Sequence, residues 1–193
     1  APFPIFHRLG IYMNSIWCII FLSVAAIDKL CLDERNGNRM IVAVICDVLG
    51  EENNGTTIAA MNLIRTLREK GHQVRVVSPD ASRAGEPDHF VVPTRNLGVF
   101  NQYVAKNGVS LAKPLRPVLE QALEGVDVVH VMVPFSLGHA AAVLAREKGI
   151  PLTAGFHCQA ENFTNHIFLM NAPRVNQMTY RFFYRRLYQY CTC

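Results

Sequence analysis

The chain has 193 residues, the size of one ordinary domain. Half of its residues (50%) are hydrophobic and 18% are charged, which excludes an intrinsically disordered protein, and 12 glycines with 10 prolines exclude a collagen-like or low-complexity one. The net charge of +4 is modest for a nucleic-acid-binding protein, so no nucleic-acid partner is predicted.

Residues 1–39 differ in pattern from the rest and are treated as an extension of uncertain status. Residues 16–27 form a mostly apolar run that is shorter than the roughly 20 residues a membrane-spanning helix needs. Small residues at 23–25 resemble a signal-peptide cleavage site. Three interpretations stay open: an extension foreign to the domain, a membrane anchor and a signal peptide. The domain itself is predicted to begin at Met40.

From Met40 onward, short runs rich in β-branched residues alternate with amphipathic helical patterns. Strands are predicted at 40–46, 73–78, 90–92, 126–133 and 150–155, and helices at 56–70, from Pro114 or Pro117 to about 125, at 137–148 with Ser136 as N-cap, and at about 174–190. This alternation predicts an α/β fold in which residues 40–193 form a single domain. Its core is a Rossmann-like, doubly wound parallel sheet.

The first strand-to-helix loop is a candidate phosphate site. Ligands of doubly wound sheets bind beyond the carboxyl ends of the strands. Gly55 and Thr56 begin the following helix, where unpaired N–H groups and the positive end of the dipole favour an anion. A plain strand-to-helix turn is the alternative. The sequence has neither G-x-G-x-x-G nor G-x-x-x-x-G-K-[ST] at this loop, which argues against NAD binding and P-loop hydrolysis.

Two later strands also end in candidate ligand-contacting residues. Ser136 follows the fourth strand and can contact a ligand or cap a helix, but no G-x-S-x-G surrounds it, so a hydrolase nucleophile is not predicted. His130 lies within that strand and is interpreted as a core histidine with satisfied hydrogen bonds. His157 follows Gly155 at the end of the last strand, where an imidazole can orient a phosphate or a sugar hydroxyl.

No metal site or disulfide framework is predicted. A site formed by His157, Cys158 and His166 would have a spacing that is unusual for zinc. The six cysteines include no C-x-x-C pair. They are interpreted as reduced thiols of a cytosolic protein.

The last helix is basic on one face. No acidic residue follows Glu161, whereas Arg174, Arg181 and Arg185 recur at helical spacing. A solvated surface helix and an electrostatic contact with an anionic membrane surface are the two interpretations. The pattern places Met178 and Tyr188 beside the arginines, and Tyr180, Phe183 or Tyr184, and Leu187 on the apolar stripe.

Residues 40–193 resemble the N-terminal Rossmann-like domain of family 4 retaining glycosyltransferases, enzymes of the two-domain GT-B architecture. The resemblance is carried by residues 40–44, by a helix-to-strand run at 62–77 that contains Lys70-Gly71-His72, and by residues 151–157 with their terminal histidine. Residues 127–138 are similar to members that glycosylate diacylglycerol and related membrane lipids.

The resemblance implies a hexosyltransferase that moves a sugar from a nucleoside-diphosphate sugar to a lipid or glycan acceptor with retention, and that needs no further cofactor. It implies that Gly55 and Thr56 lie near the donor diphosphate and that His157 is the catalytic residue that orients the sugar or its phosphate. The acceptor cleft would be lined by Phe100, Tyr103, Phe135 and Ser136.

The family's donor-binding second domain has no counterpart within residues 40–193, so this chain is expected to be the acceptor-side half of the enzyme and inactive alone. A cytoplasmic enzyme, peripheral on the inner face of the membrane, is expected. A non-catalytic Rossmann-like binding or regulatory domain is the alternative.

Overall fold

The computed structural model describes residues 39–47, 55–96, 98, 111–157 and 173–192. The apolar segment 16–27 and the predicted acceptor residues Phe100 and Tyr103 lie outside the described residues. In the described part of the chain, none of the helices has the length and apolar character needed to cross a membrane.

The described residues form five strands and four α-helices, which largely alternate in sequence. In order they are β1 (Ile41–Ile45), α1 (Gly55–Glu69), β2 (Gln73–Ser78), β3 (His89–Val91), α2 (Arg116–Ala122), β4 (Val128–Val131), α3 (Ser136–Lys148), β5 (Leu152–Ala154) and α4 (Pro173–Arg186). Short 3-10 helices span Ala81–Arg83 and Tyr188–Tyr190.

The five strands form one parallel sheet in the order β3-β2-β1-β4-β5. β1 lies at the centre, where Val42 is in register with Val74 of β2 and Val128 of β4. The predicted Rossmann-like, doubly wound α/β fold is therefore confirmed. Between β1 and β4 the strand order reverses, and ligands of such sheets bind in the crevice at this point.

The sheet is covered on both faces, which explains the continuous apolar strands. One face of β1, with Val42 and Val44, packs against α1, and the other, with Ala43 and Ile45, packs against α2 and α3. The amphipathic pattern predicted for this helix is confirmed, because one apolar stripe of α1 is buried: Ala60, Leu63, Ile64 and Leu67. Burial of these two layers fixes the carboxyl ends of the central strands next to one another.

The start of α3 differs from the prediction. Ser136 is the first helical residue, and the N-cap position is Phe135, which makes no side-chain cap. The buried Asp47 at the end of β1 supplies the missing cap, because its two carboxylate oxygens accept the backbone N–H groups of Leu137 (3.1 Å) and Gly138 (3.0 Å). The predicted N-cap at Ser136 is therefore wrong, because a carboxylate from another element satisfies those donors.

Other element boundaries are shorter than predicted. β4 has four residues and β5 has three, and α4 ends at Arg186 before a short 3-10 helix. Gly149 adopts a left-handed conformation (φ 68°) and ends α3 as its sequence position indicated.

Candidate functional site

The candidate site lies at the carboxyl edge of the sheet, around the ends of β1, β4 and β5. Asp47 follows β1, Phe135 follows β4, and His157 follows β5. α1 begins at Gly55 after the same edge. The fold thus gathers side chains that are distant in sequence.

His157 folds back over Gly155. A Cβ atom at position 155 would lie 2.4 Å from Nε2 of His157, so only a glycine leaves room for the ring in this position. Nε2 is buried and has no hydrogen-bond partner among the described residues, although His157 as a whole is only half-buried. Burial lowers the pKa of His157 from 6.5 to about 4, so the ring is neutral at pH 7.

His130 lies close to this position, with its Nε2 3.6 Å from the point that a Cβ at residue 155 would occupy. It is 0% exposed, and its Nδ1 is 2.8 Å from the hydroxyl oxygen of Thr153 on the neighbouring strand. Its Nε2 has no hydrogen-bond partner in the described part of the chain, so the predicted fully satisfied histidine is wrong for this nitrogen. Burial, and secondarily the nearby His157, lowers the pKa of His130 to about 3.

The backbone that carries His157 is held by α4 and the turn that follows it. Phe156 stacks on Tyr180 with ring centroids 6.3 Å apart, and lies 6.0 Å from the ring of Tyr188. The Tyr188 hydroxyl donates a hydrogen bond to the Gly155 carbonyl at 3.2 Å. Residues from the end of the chain therefore position the end of β5.

Asp47 is the buried carboxylate of this edge. Burial raises its pKa from 3.8 to about 6, while hydrogen bonds from the backbone of Gly138 and Leu137 and the charge of Arg186 lower it in part. The carboxylate joins the end of β1 to the start of α3. It also occupies the positive end of the α3 dipole, so that helix start is filled by the protein itself.

The predicted phosphate-binding residues lie at the exposed start of α1. Gly55 is exposed and Thr56 is half-buried, and the first turn of this helix holds no acidic side chain. The helix begins after β1 at the sheet edge where β5 also ends, and a helix start is compatible with an anion.

The predicted acceptor residues that the structure describes, Phe135 and Ser136, lie at the end of β4. Phe135 is half-buried and packs against the core layer formed with α1. The Ser136 hydroxyl donates to the carbonyl of Ala112 at 2.9 Å, so it ties the loop before α2 to the start of α3.

α4 exposes the predicted arginines and buries a narrow apolar stripe. Arg174, Arg181 and Arg185 are exposed, as is the side chain of Met178 at 69%. Phe183 and Leu187 are fully buried. Tyr184 (48% exposed) and Phe182 (49% exposed) face outward, so Phe183 rather than Tyr184 belongs to the apolar stripe. Tyr188 was predicted beside the arginines, but it packs against the core.

The described residues hold no group of three His, Cys, Asp or Glu side chains arranged for a metal ion. Cys158 and His166 lie outside these residues, so the prediction about them stays untested.

Residues 53–193 match the family model of Glycosyltransferase Family 4. The chain belongs to this family. The match covers every described strand and helix after β1. It includes α4 and the aromatic residues that contact the end of β5. No solved structure matches the chain.

Three curated relatives support the family assignment. The chain is 32% identical over 128 residues to a GDP-mannose-dependent alpha-mannosyltransferase of Mycolicibacterium smegmatis, covering 64% of this chain and 34% of the relative. It is 27% identical to the enzyme of the same name from Corynebacterium glutamicum (67% and 32% covered) and 24% identical to the alpha-monoglucosyldiacylglycerol synthase of Acholeplasma laidlawii (59% and 29% covered). The matched part thus spans about a third of each relative.

Sequence reasoning missed two residues of this candidate site. Asp47 is not among the predicted site residues, although an acidic residue directly after the central buried strand is the signal that could have identified it. The free Nε2 of His130 could not be foreseen, because the partner of each imidazole nitrogen depends on which strands are neighbours.

Proposed function

We propose that this chain is the acceptor-side domain of a retaining glycosyltransferase that transfers a sugar from a nucleoside-diphosphate sugar to a lipid or glycan acceptor. The observation that carries the proposal is the neutral His157 at the end of β5, on the same sheet edge as the exposed helix start at Gly55, in a chain of family 4. A phosphate at Gly55 and a sugar near His157 suit this pair of groups.

The relatives indicate which substrates to test first. Two of them are named for GDP-mannose, so GDP-mannose is the first donor. The third is a synthase of a glucosylated diacylglycerol, so lipid acceptors come first, with diacylglycerol and its monoglucosyl derivative among them. The exposed arginines of α4 are compatible with an acceptor presented at an anionic membrane surface.

In this proposal each group of site residues has a separate role. The N–H groups at the start of α1 hold the donor diphosphate and stabilise the charge that develops on it as the sugar leaves. His157 orients the transferred sugar, and its low pKa keeps it a neutral hydrogen-bonding group rather than a cation. Phe135, with Phe100 and Tyr103, contributes apolar surface to the acceptor side.

The test is sugar transfer by the protein encoded by the complete reading frame. Labelled GDP-mannose is supplied with vesicles that contain diacylglycerol or glycolipid, other nucleoside-diphosphate sugars are tested in parallel, and the anomeric configuration of the product is determined by proton NMR. We expect a glycolipid or glycan product with retained configuration. Absence of transfer from every donor, or an inverted product, contradicts the proposal.

His157→Ala is expected to lower kcat by about 100- to 1,000-fold, the usual effect of removing one hydrogen-bonding group at a transition state. The melting temperature should change little, because the ring is half-buried and its Nε2 makes no hydrogen bond with the described residues.

The matched control is His72→Ala, which removes an imidazole at the amino-terminal edge of the sheet, where His72 precedes β2. Near-normal turnover of His157→Ala, or an equal loss in the control, contradicts the role of His157.

A further inference from the structure

His130 is a buried histidine that the proposed transfer does not use, and His157 lies near its Nε2. A Cβ atom built on Gly155 would lie 3.6 Å from Nε2 of His130 and 2.4 Å from Nε2 of His157. Neither nitrogen has a hydrogen-bond partner among the described residues. Two buried ring nitrogens without partners are unfavourable, and they can pair directly only if one donates and the other accepts.

Thr153 decides which of the two rings accepts. The Thr153 hydroxyl lies within reach of the Val129 carbonyl (3.5 Å), to which it donates, so its oxygen is left to accept a hydrogen bond from Nδ1 of His130 at 2.8 Å. Nδ1 of His130 then carries the proton. A neutral imidazole has one N–H and one lone pair, so Nε2 of His130 carries the lone pair and requires a donor.

We propose that His130 is a positioning residue that fixes the tautomer of His157. Its Nε2 accepts the Nε2–H of His157 in a direct hydrogen bond, which forms when the half-buried ring of His157 turns toward His130. The proton of His157 is thereby kept on the buried side of its ring, and the lone pair of Nδ1 is presented on the side that faces the ligand. This inference rests on the proposed function only for the identity of that ligand.

The chain itself, labelled with ¹⁵N-histidine, allows a direct test. Long-range ¹H–¹⁵N spectra at pH 7 report the tautomer of each ring. We expect His130 as the Nδ1–H form and His157 as the Nε2–H form. His130→Phe keeps a ring but removes the acceptor. In this variant the ratio of the Nε2–H to the Nδ1–H tautomer of His157 should fall by about fivefold, which corresponds to the loss of one net hydrogen bond.

The control is His72→Phe, which makes the same substitution at the opposite edge of the sheet and should leave the spectrum of His157 unchanged. A second variant guards against loss of folding in His130→Phe. Thr153→Val keeps both rings but removes the hydroxyl, so His130 should lose its fixed tautomer and His157 should lose part of its own. An unchanged His157 tautomer in Thr153→Val and in folded His130→Phe overturns the proposal.

Kinetics separate this inference from the proposed function. In the active enzyme, His130→Phe should lower kcat by about fivefold with little change in the KM of the donor. The substitution lowers the fraction of His157 in the required tautomer and removes no substrate contact. Absence of sugar transfer by the unsubstituted protein from the complete reading frame contradicts the proposed function but does not affect the NMR result. A normal kcat in folded His130→Phe defeats the positioning role and leaves the function standing.

Discussion

At the scale of single residues, three buried titratable groups shape the edge of the sheet. Asp47 and His130 are 0% exposed, and the buried ring nitrogen of His157 lies close to His130. Burial favours the uncharged form of each group. It therefore raises the pKa of the carboxyl group and lowers the pKa of both imidazoles, so that the two kinds of group affect stability in opposite directions with pH.

The stability of the chain between pH 4.5 and 6 should show these opposing effects. The pKa of Asp47 rises from 3.8 to about 6 on folding, so its contribution is present at low pH and is lost as the pH rises through this range. The pKa values of His130 and His157 fall from 6.5 to about 3 and about 4, so their contributions are present above pH 6.5 and are lost as the pH falls.

These three groups together predict that the free energy of unfolding rises with pH by about 1.4 kcal/mol per pH unit, the effect of one net proton. Asp47→Asn should steepen the slope to about 2.7 kcal/mol per unit, and His130→Phe should flatten it to near zero. Urea unfolding at several pH values measures the slopes. Equal slopes in all three proteins would show that none of these groups titrates on unfolding as described.

Two glycines should differ sharply when replaced by alanine. At Gly155 the new Cβ meets the side chain of His157, which can move aside. We expect a folded protein with kcat lowered by about 100-fold, because the ring is displaced. At Gly138 the Cβ would lie 2.4 Å from the Val133 carbonyl oxygen, which is backbone, so we expect a loss of about 1–3 kcal/mol in the free energy of unfolding.

Thermal unfolding and kinetics of the two variants, measured side by side, decide this prediction. A stable Gly138→Ala, or a fully active Gly155→Ala, would be the contrary result.

At the scale of elements, α4 serves two purposes on its two faces. Its buried face, with Phe183, together with Leu187 and Tyr188 just beyond its end, anchors the last part of the chain, and Tyr188 holds the backbone of Gly155. The exposed face combines arginines with Met178 and Phe182. The guanidinium of Arg186 lies 5.3 Å from the Phe182 ring centre, so cationic and apolar groups are interleaved there.

This exposed face should bind anionic membranes. Each arginine near such a surface contributes about 1 kcal/mol, so replacing Arg174, Arg181 and Arg185 with glutamine should reduce co-sedimentation with phosphatidylserine-containing vesicles by roughly ten- to a hundredfold. Salt should have a similar effect, because the Debye length falls from about 10 Å at 0.1 M to about 3 Å at 1 M.

The matched control removes three positive charges from α1 and its end: Arg65, Arg68 and Lys70, all exposed, are changed to glutamine. Binding that ignores salt, or that falls equally in the control, would remove α4 as the membrane contact. Binding by residues 1–193 that a longer protein lacks would indicate that this face packs against another domain.

At the scale of the whole molecule, the strand order brings the site together. β1 lies between β2 and β4, so the loop that leads to Gly55 and the ends of β4 and β5 share one edge of the sheet. The described sheet is one Rossmann-like unit, and the chain spans about a third of the length of the curated relatives. In the GT-B architecture, contacts to the donor come from a second domain as well.

Residues 1–193 alone are therefore expected to transfer no sugar. Holding both reactants in one geometry is worth roughly 7–11 kcal/mol of the barrier, and in the proposed enzyme this domain supplies only part of the donor contacts. Incubation of the purified chain with labelled nucleoside-diphosphate sugars and the acceptor vesicles measures this, beside the protein from the complete reading frame as the positive control. Steady transfer by the 193-residue chain would show that one domain suffices.

The sequence by itself determined the alternation of elements, because local periodicity follows from burial on one or two faces. It placed β2 at its observed residues, the stripe of α1, the glycine that ends α3, and His157 beyond the last strand. These features depend on residues close together in the chain.

Only the tertiary structure decided how the polar groups pair. Asp47 caps a helix whose first residues are some 90 positions away, and His130 bonds to Thr153 across two neighbouring strands. Tyr188 turned inward because the end of the chain packs beside β5. A hydrogen bond is satisfied by whichever group lies near it in space, and that is fixed by strand order rather than by local pattern.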